Sequence, residues 1–221
     1  MRYAPGTMRM LVILLGAALA FGAAPGRAQS DRRPPPVRSQ PHDYVLLAPD
    51  AQDGAELVGR RAPAWSFERW IRSPALTPQD LRGKVVLLRW WTDGCDFCTA
   101  TLPGLESLRK RYGDEGFVVI GVYHPKPPRP VSDRDIVAMA NRLGFTGPIA
   151  VDQRWTTLER YWLAGHEREF TSVSFLIDRD GVIRWVQRGG EYHPSADPRH
   201  ARCDAEYRGL EKVLAALLER S

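Results

Sequence analysis

Two cysteines three residues apart, Cys95 and Cys98, are the residues of this chain whose types and spacing best support chemistry. A C-x-x-C pair can exchange thiols for a disulfide, or it can give two ligands to a metal ion. A purely structural disulfide is disfavoured, because so short a loop stabilises a fold little. The chain has three cysteines and no second such pair, so redox exchange is favoured over zinc. We therefore assign no residue to a metal and expect no cofactor.

A buried strand that leads directly into a helix is predicted to present the two cysteines. Residues 85–91 are apolar apart from Arg89, as in a strand covered on both faces. A polar turn at 92–94 follows, and leucines recur at helical spacing from residue 102 to 108. Cys95 would then lie at a helix N-terminus, where free backbone N–H groups and the helix dipole favour the thiolate that attacks disulfides. Cys98, one turn further on, would resolve the mixed disulfide.

The remaining pattern predicts an α/β fold with one central mixed sheet. Alternation at 62–67 predicts an edge strand, and Thr77 is expected to cap a helical turn. Further strands are expected at 117–123, 149–151, 174–178 and 182–187, with helices at 133–143, 155–162 and 210–218. This order of strands and helices implies that helices cover both faces of the sheet.

The N-terminal part of the chain indicates export. Residues 1–28 carry two early arginines, an apolar run at 10–24 and small residues at a cleavage position, which is typical of a secretory signal peptide. The run is shorter than the about 20 residues of a membrane span, so an uncleaved anchor that tethers the protein to a membrane is the alternative. Residues 29–56 are expected to form a Pro-rich disordered tether, and 57–221 the folded domain. The localisation would be periplasmic or otherwise extracytoplasmic.

The excess of basic residues does not indicate a nucleic-acid partner. The chain has 31 Lys and Arg against 26 Asp and Glu, and a formal charge of +5. Three of the basic residues and none of the acidic ones lie in residues 1–28, so a charge of only +2 remains. The rest of the chain contains no basic block of the kind that binds nucleic acid.

Four segments together resemble the thioredoxin superfamily and, within it, the exported thiol-disulfide oxidoreductases of the TlpA/ResA type, which carry a redoxin domain. They are Val-Gly-Arg-Arg-Ala-Pro at 58–63, Leu-Arg-Gly-Lys-Val-Val-Leu-Leu at 81–88, the C-x-x-C pair with Pro103, and Phe-Leu-Ile-Asp-Arg-Asp-Gly at 175–181. The resemblance covers most of residues 57–190. It implies a thioredoxin-like fold, protein thiols or disulfides as substrates, and an upstream electron donor.

Four residues near the cysteines depart from that family pattern or would tune the pair. Gly94 stands where Trp is usual, and Arg89 stands where many members have an acid or Asn. Arg89 would either point at the thiols and stabilise the Cys95 thiolate, or reach the surface or an acid. Asp96 would act against it. Ser172 stands where the family has a cis-proline, and we expect a trans bond there, since a non-proline cis bond costs about 3 kcal/mol.

Cys203 is the odd cysteine and has three interpretations. It could be an accessory thiol that resolves a disulfide with Cys95 or Cys98. It could join His193 and His200 in a metal site, although those two histidines do not have a recognised ligand spacing. It could also be a small buried residue without chemistry, as free cysteines commonly are.

The favoured hypothesis is an exported thiol-disulfide oxidoreductase, and two alternatives stay open. One is a peroxiredoxin-like thiol peroxidase, in which Arg89 activates Cys95 toward peroxide and Thr92 matches part of the Thr-x-x-Cys pattern of peroxiredoxins. The other is a copper or other metal chaperone that uses both cysteines of the pair and a histidine.

Overall fold

The computed structural model describes residues 54–166, 168 and 170–219. The predicted signal peptide and residues 29–53 of the predicted tether lie outside the described residues, and the domain boundary near residue 57 stays a prediction. Across the described part of the chain, no helix combines the length and the apolar character that crossing a membrane requires.

In the described part of the chain, six strands form one mixed sheet, as expected. They are β1 (Arg69–Ile71), β2 (Val85–Trp91), β3 (Phe117–Tyr123), β4 (Ile149–Val151), β5 (Ser174–Ile177) and β6 (Ile183–Gln187). Their order is β1-β4-β3-β2-β5-β6. The β2–β3 and β3–β4 pairs are parallel, whereas β1–β4, β2–β5 and β5–β6 are antiparallel. The strand that precedes the cysteines is therefore central.

Helices cover both faces of this sheet. They are α1 (Asp96–Tyr112), α2 (Asp133–Arg142), α3 (Thr156–Leu158), which continues as a π-helix over Glu159–Leu163, and α4 (Ala201–Leu218). Apolar odd-numbered residues of β2 pack in the core with α1, α2 and α4, and even-numbered ones in the core with α3. Both faces of β2 are thus buried, which explains its nearly continuous apolar sequence.

The edge strand predicted at 62–67 is wrong. These residues form no strand, and the sheet edge is β1 instead. Pro63 has no N–H to donate to a ladder. The Ala62 N–H donates to the Gly181 carbonyl at 2.8 Å, and side-chain contacts hold the residues that follow. Trp65 and Phe67 pack against the core on the α3 face, and Trp65 Nε1 donates to the Leu76 carbonyl at 2.8 Å. Alternation here reflects packing without strand pairing.

Candidate active site

The two cysteines lie where the sequence predicts, at the start of α1. Cys95 is the N-cap residue, and its Sγ accepts a hydrogen bond from the Cys98 backbone N–H at 3.2 Å. The two sulfurs form a disulfide with a Cα–Cα distance of 5.3 Å. Cys98 is fully buried, whereas Cys95 is only partly buried. Cys95 therefore presents the sulfur that an incoming molecule can reach.

Gly94 gives the turn before the cysteines a conformation that other residues adopt with strain. Its φ of 66° lies in the left-handed region, and nothing lies within 4 Å of the position that a Cβ would occupy. A residue with a side chain would cost about 1–2 kcal/mol in this backbone conformation. Because a side chain would find space here, the backbone conformation rather than crowding accounts for the glycine at the position where the family has Trp.

Asp93 anchors the same turn, and the sequence analysis did not identify it. Tyr123 donates its hydroxyl to Asp93 Oδ1 at 2.8 Å, and Arg129 pairs with the other carboxylate oxygen. Burial opposes ionisation, but the hydrogen bonds from Tyr123 and Arg129 prevail and hold the Asp93 pKa below its ordinary value. An acid two residues before the C-x-x-C motif was the available signal. Its ionised carboxylate ties the turn to the end of β3.

The Ser172 hydroxyl faces the disulfide. Its Oγ lies 3.5 Å from Cys95 Sγ and 3.9 Å from Cys98 Sγ, and the residue is 7% exposed. The Thr171–Ser172 peptide bond is trans, as expected, since the cis bond in the described part of the chain joins Lys126 to Pro127. A hydroxyl that can donate a hydrogen bond thus occupies the place where the family has a proline ring.

Arg89 adopts neither of the orientations considered for it. Its side chain is fully buried, and Nη1 donates to the Ser172 carbonyl at 2.6 Å while Nη2 donates to the Gly190 carbonyl at 3.1 Å. Ser174 Oγ and Gln187 Oε1 lie 3.4 Å from Nη1. Its place in β2 turns it toward the interior. In the described part of the chain, the hydrogen bonds of its guanidinium thus go to neutral oxygens and not to the two sulfurs or to an acid.

Neutral oxygens and an aromatic ring therefore stabilise the charge of Arg89. The guanidinium carbon lies 5.4 Å from the centre of the Tyr192 ring, and the Tyr192 hydroxyl is 2.7 Å from Ser174 Oγ. Burial lowers the pKa of Arg89 and raises that of Tyr192. A desolvated cation that has no carboxylate partner favours negative charge nearby. Ser172 connects this cation to the candidate site, because its carbonyl binds Arg89 and its hydroxyl faces the two sulfurs.

His124 holds the other side of the Ser172 segment. Its Nδ1 lies 3.0 Å from the Trp91 carbonyl, which can only accept, so Nδ1 carries the proton. Nε2 then accepts from the Thr171 hydroxyl at 2.8 Å. Burial lowers the pKa of His124 to about 3, so the ring is neutral. It joins the end of β2 to the residue before Ser172, and Thr171 is a second contributor that the sequence analysis missed.

The remaining predicted site residues, Thr92 and Asp96, both line a cavity beside Cys95. Asp96 is exposed in the first turn of α1. Thr92 donates to Asp93 Oδ1 at 3.3 Å. Arg89 donates to the Ser172 and Gly190 carbonyls and the Thr92 hydroxyl donates to Asp93, so the geometry does not support the activation of Cys95 that the peroxidase alternative requires.

Cys203 lies in the first turn of α4, and its Sγ donates to Glu191 Oε1 at 3.5 Å. Burial, together with the charge of Glu191, raises the Cys203 pKa to about 11. Its recorded partner is thus Glu191 rather than either sulfur of the pair, so the geometry does not support a resolving role. Both His193 and His200 lie beside it.

A cavity of about 230 Å³ opens beside Cys95. Its lining combines the apolar residues Trp91, Met139 and Leu143 with the turn at 92–94 and the polar residues Asp96, Thr99 and Arg142. A cavity of mixed apolar and polar lining next to the more accessible sulfur can accept a side chain of a bound polypeptide.

Comparisons with known proteins agree with this geometry. The model of the AhpC/TSA family matches residues 58–186. Protein DipZ of Mycobacterium bovis is 31% identical over 151 residues, which are 65% of this chain but only 21% of DipZ. Thiol-disulfide oxidoreductase YkuV of Bacillus subtilis is 24% identical over 68% of this chain and 93% of YkuV. The crystal structure of a thiol-disulfide isomerase from Corynebacterium glutamicum is 25% identical with a TM-score of 0.55, over 72% of this chain and 98% of its own. The thioredoxin-like fold is confirmed.

Proposed function

The chain belongs to the AhpC/TSA family, and on that premise we propose that it is an exported thiol-disulfide oxidoreductase that acts through Cys95 and Cys98. The observation that carries the proposal is the asymmetry of the pair. Cys95 is partly accessible at a helix N-terminus, and Cys98 is fully buried behind it. Similarity to proteins named thiol-disulfide oxidoreductases supports the same activity.

In the reducing direction, the Cys95 thiolate attacks one sulfur of a substrate disulfide. A bond forms between Cys95 Sγ and that sulfur, the substrate S–S bond breaks, and the other substrate sulfur leaves as a thiolate that takes up a proton. The α1 N-terminus and the Ser172 hydroxyl, 3.5 Å away, favour the attacking anion. The product is a mixed disulfide at the accessible sulfur.

Cys98 completes the exchange. Its thiolate attacks Cys95 Sγ, forms the Cys95–Cys98 disulfide and releases the second substrate thiol. The substrate gains two electrons and the protein loses two, so a dithiol donor must reduce the protein before the next cycle. The 5.3 Å Cα–Cα distance between the two residues allows this bond without movement of the helix.

Protein thiols and disulfides are the proposed substrates, and an extracytoplasmic compartment is the proposed location. The cavity beside Cys95 supports a polypeptide substrate, since it can accept a neighbouring side chain. The signal-like residues 1–28 support export, and the same segment is the proposed tether if it is not cleaved.

Reduction of insulin with dithiothreitol as the donor tests the proposal. We expect Cys95→Ser to abolish catalysed turnover and Cys98→Ser to accumulate a mixed disulfide on Cys95, visible by mass spectrometry. Ser107→Ala is the control, because it changes an exposed side chain of α1 outside the pair, and its turnover should stay within about twofold of wild type.

Unchanged turnover in Cys95→Ser would refute the assignment. The peroxidase alternative has its own measurement. Hydrogen peroxide should oxidise reduced Cys95 no faster than a free thiolate of equal acidity, and a much faster rate would replace the proposed function by that one.

A further inference from the structure

A second cluster of chemistry-bearing side chains lies between the loop after β6 and the start of α4. Glu191, His193, His200 and Cys203 each place one ligand-type atom within 4.8 Å of those of the other three. Glu191 Oε1 lies 3.3 Å from His200 Nδ1 and 3.5 Å from Cys203 Sγ. The two imidazole rings are 5.1 Å apart, centre to centre. One carboxylate, two imidazoles and a thiol thus converge on one small volume.

Hydrogen bonds do not satisfy every polar atom of the cluster, as His193 shows. Its Nδ1 lies 3.1 Å from the Pro194 carbonyl, so Nδ1 carries the proton and Nε2 offers its lone pair. Nε2 is buried, and the described part of the chain provides it with no hydrogen-bond donor. A buried acceptor without a partner is costly. Metal-bound histidines commonly have this arrangement, in which one nitrogen donates to a carbonyl and the other faces the ion.

We propose that Glu191, His193, His200 and Cys203 bind one Zn²⁺ ion. Zinc prefers four ligands of nitrogen, sulfur and oxygen in a tetrahedron, with bonds of about 2.0–2.3 Å and therefore ligand atoms about 3.3–3.8 Å apart. The Glu191 contacts to His200 and Cys203 already have such lengths. The widest separations must shrink by about 1 Å, which side-chain rotation can supply.

Four protein ligands describe a closed, structural site rather than a catalytic one. Two ligands come from the loop and two from the first residues of α4 and the turn before it, so the ion would fasten that loop to the helix. The same loop supplies the Gly190 carbonyl to Arg89 and places Tyr192 against Ser174. The site is independent of the proposed thiol exchange, but it would steady the segment on which Arg89 depends.

The test uses the full chain in its oxidised form, in which the Cys95–Cys98 disulfide removes that pair as a ligand source. Zn²⁺ is titrated against a fluorescent chelator. We expect one equivalent to bind, and Cys203→Ser and His193→Gln each to weaken binding by about 100-fold or more, since even residues behind the ligands change metal affinity 10- to 100-fold. Bound Co²⁺ should show a thiolate-to-metal charge-transfer band in the wild type and none in Cys203→Ser.

Two controls separate this cluster from other ligands. His166→Gln replaces an exposed histidine outside it, and Cys95→Ser with Cys98→Ser removes the other thiols. Both should bind zinc within about threefold of wild type. The proposal is overturned if the oxidised wild type binds no stoichiometric zinc, or if a double Cys203→Ser, His193→Gln variant retains the affinity. The cobalt spectrum needs no variant to fold, and neither result touches the assignment of Cys95.

Discussion

Arg89 Nη1 donates a 2.6 Å hydrogen bond to the carbonyl of Ser172, the residue whose hydroxyl faces both sulfurs of the disulfide. A buried guanidinium therefore fixes the backbone at the position that a cis-proline occupies in the family. With His124 on the other side through Thr171, the segment is held from two directions. Rigid support of this kind replaces what the proline ring would provide.

Replacement of Arg89 by Met should destabilise the domain by about 2–5 kcal/mol. The Ser172 and Gly190 carbonyls would lose buried donors, and each unpaired buried group costs about 1–3 kcal/mol. Urea unfolding measures the change. Arg89→Lys keeps a charge and one donor and should recover part of the loss. A Met variant within about 0.5 kcal/mol of wild type would contradict the supporting role.

The same variant should shift the reduction potential of the cysteine pair to a more negative value by about 15–30 mV, where 30 mV corresponds to 1.4 kcal/mol for a two-electron couple. The Arg89 cation favours the thiolate and so the reduced form, and its removal makes the disulfide harder to reduce. Equilibration with glutathione measures the potential. Arg89→Lys should stay near the wild-type value, and a positive shift in the Met variant would show that the electrostatic argument has the wrong sign.

Ser172→Ala should slow alkylation of reduced Cys95 by iodoacetamide at pH 7 about 3- to 10-fold. The variant removes the hydroxyl that can donate to the thiolate, and hydrogen bonds to charged groups contribute about 1.5–3 kcal/mol when buried. Mass spectrometry of the Cys95 peptide gives the rate. Ser107→Ala removes an exposed hydroxyl elsewhere on α1 and should leave the rate unchanged. Equal rates in all three proteins would remove Ser172 from the site.

Gly94→Ala should cost about 1–2 kcal/mol of stability, because its φ of 66° is unfavourable for a residue with a Cβ. Gly113→Ala is the matched control, since that glycine has a φ of −58° and open space around it. It should be neutral or stabilising by about 0.4–1 kcal/mol. Thermal or urea unfolding of both variants decides, and equal effects would rule out the backbone explanation.

His124 should make the domain less stable in mild acid. The pKa of His124 is about 3 in the folded protein, whereas that of an unfolded histidine is about 6.5. The contribution of His124 to folding stability is therefore complete above pH 6.5 and is lost as the pH falls from 6.5 toward 3. Between pH 7 and pH 5 the wild type should lose about 2 kcal/mol more than His124→Gln. His166→Gln, at an exposed position, should behave as the wild type does. Parallel pH curves for wild type and His124→Gln would contradict the assignment.

The parts of the site that depend on a local sequence pattern could be predicted. The apolar run of β2 and the leucines of α1 place Cys95 at a helix start, and the strands expected at 174–178 and 182–187 form β5 and β6. These features depend on side-chain periodicity and turn chemistry within one segment. The resemblance to a known family then identified Ser172 as the residue facing the sulfurs.

What the sequence did not reveal depends on contacts between distant segments. The direction of the Arg89 side chain is set by β5, β6 and the loop that follows, none of which is adjacent to β2 in sequence. The cluster around Glu191 forms because a loop folds back onto α4, so its ligand atoms converge without a recognisable spacing. The segment 62–67 alternates like a strand, but Pro63 lacks an N–H and these residues belong to no strand of the described sheet.

Cys95 and Ser172 are 77 residues apart in the sequence, whereas the two cysteines are separated by three. The disulfide can therefore form in a nascent or unfolded chain, in which closing so small a ring costs little entropy. Contact with the Ser172 hydroxyl requires β5 to join β2, which closes a far longer loop. Before that step the Ser172 hydroxyl cannot act on the sulfurs, and only the local helix N-terminus can favour the thiolate. The contribution expected from Ser172 therefore depends on the completion of folding.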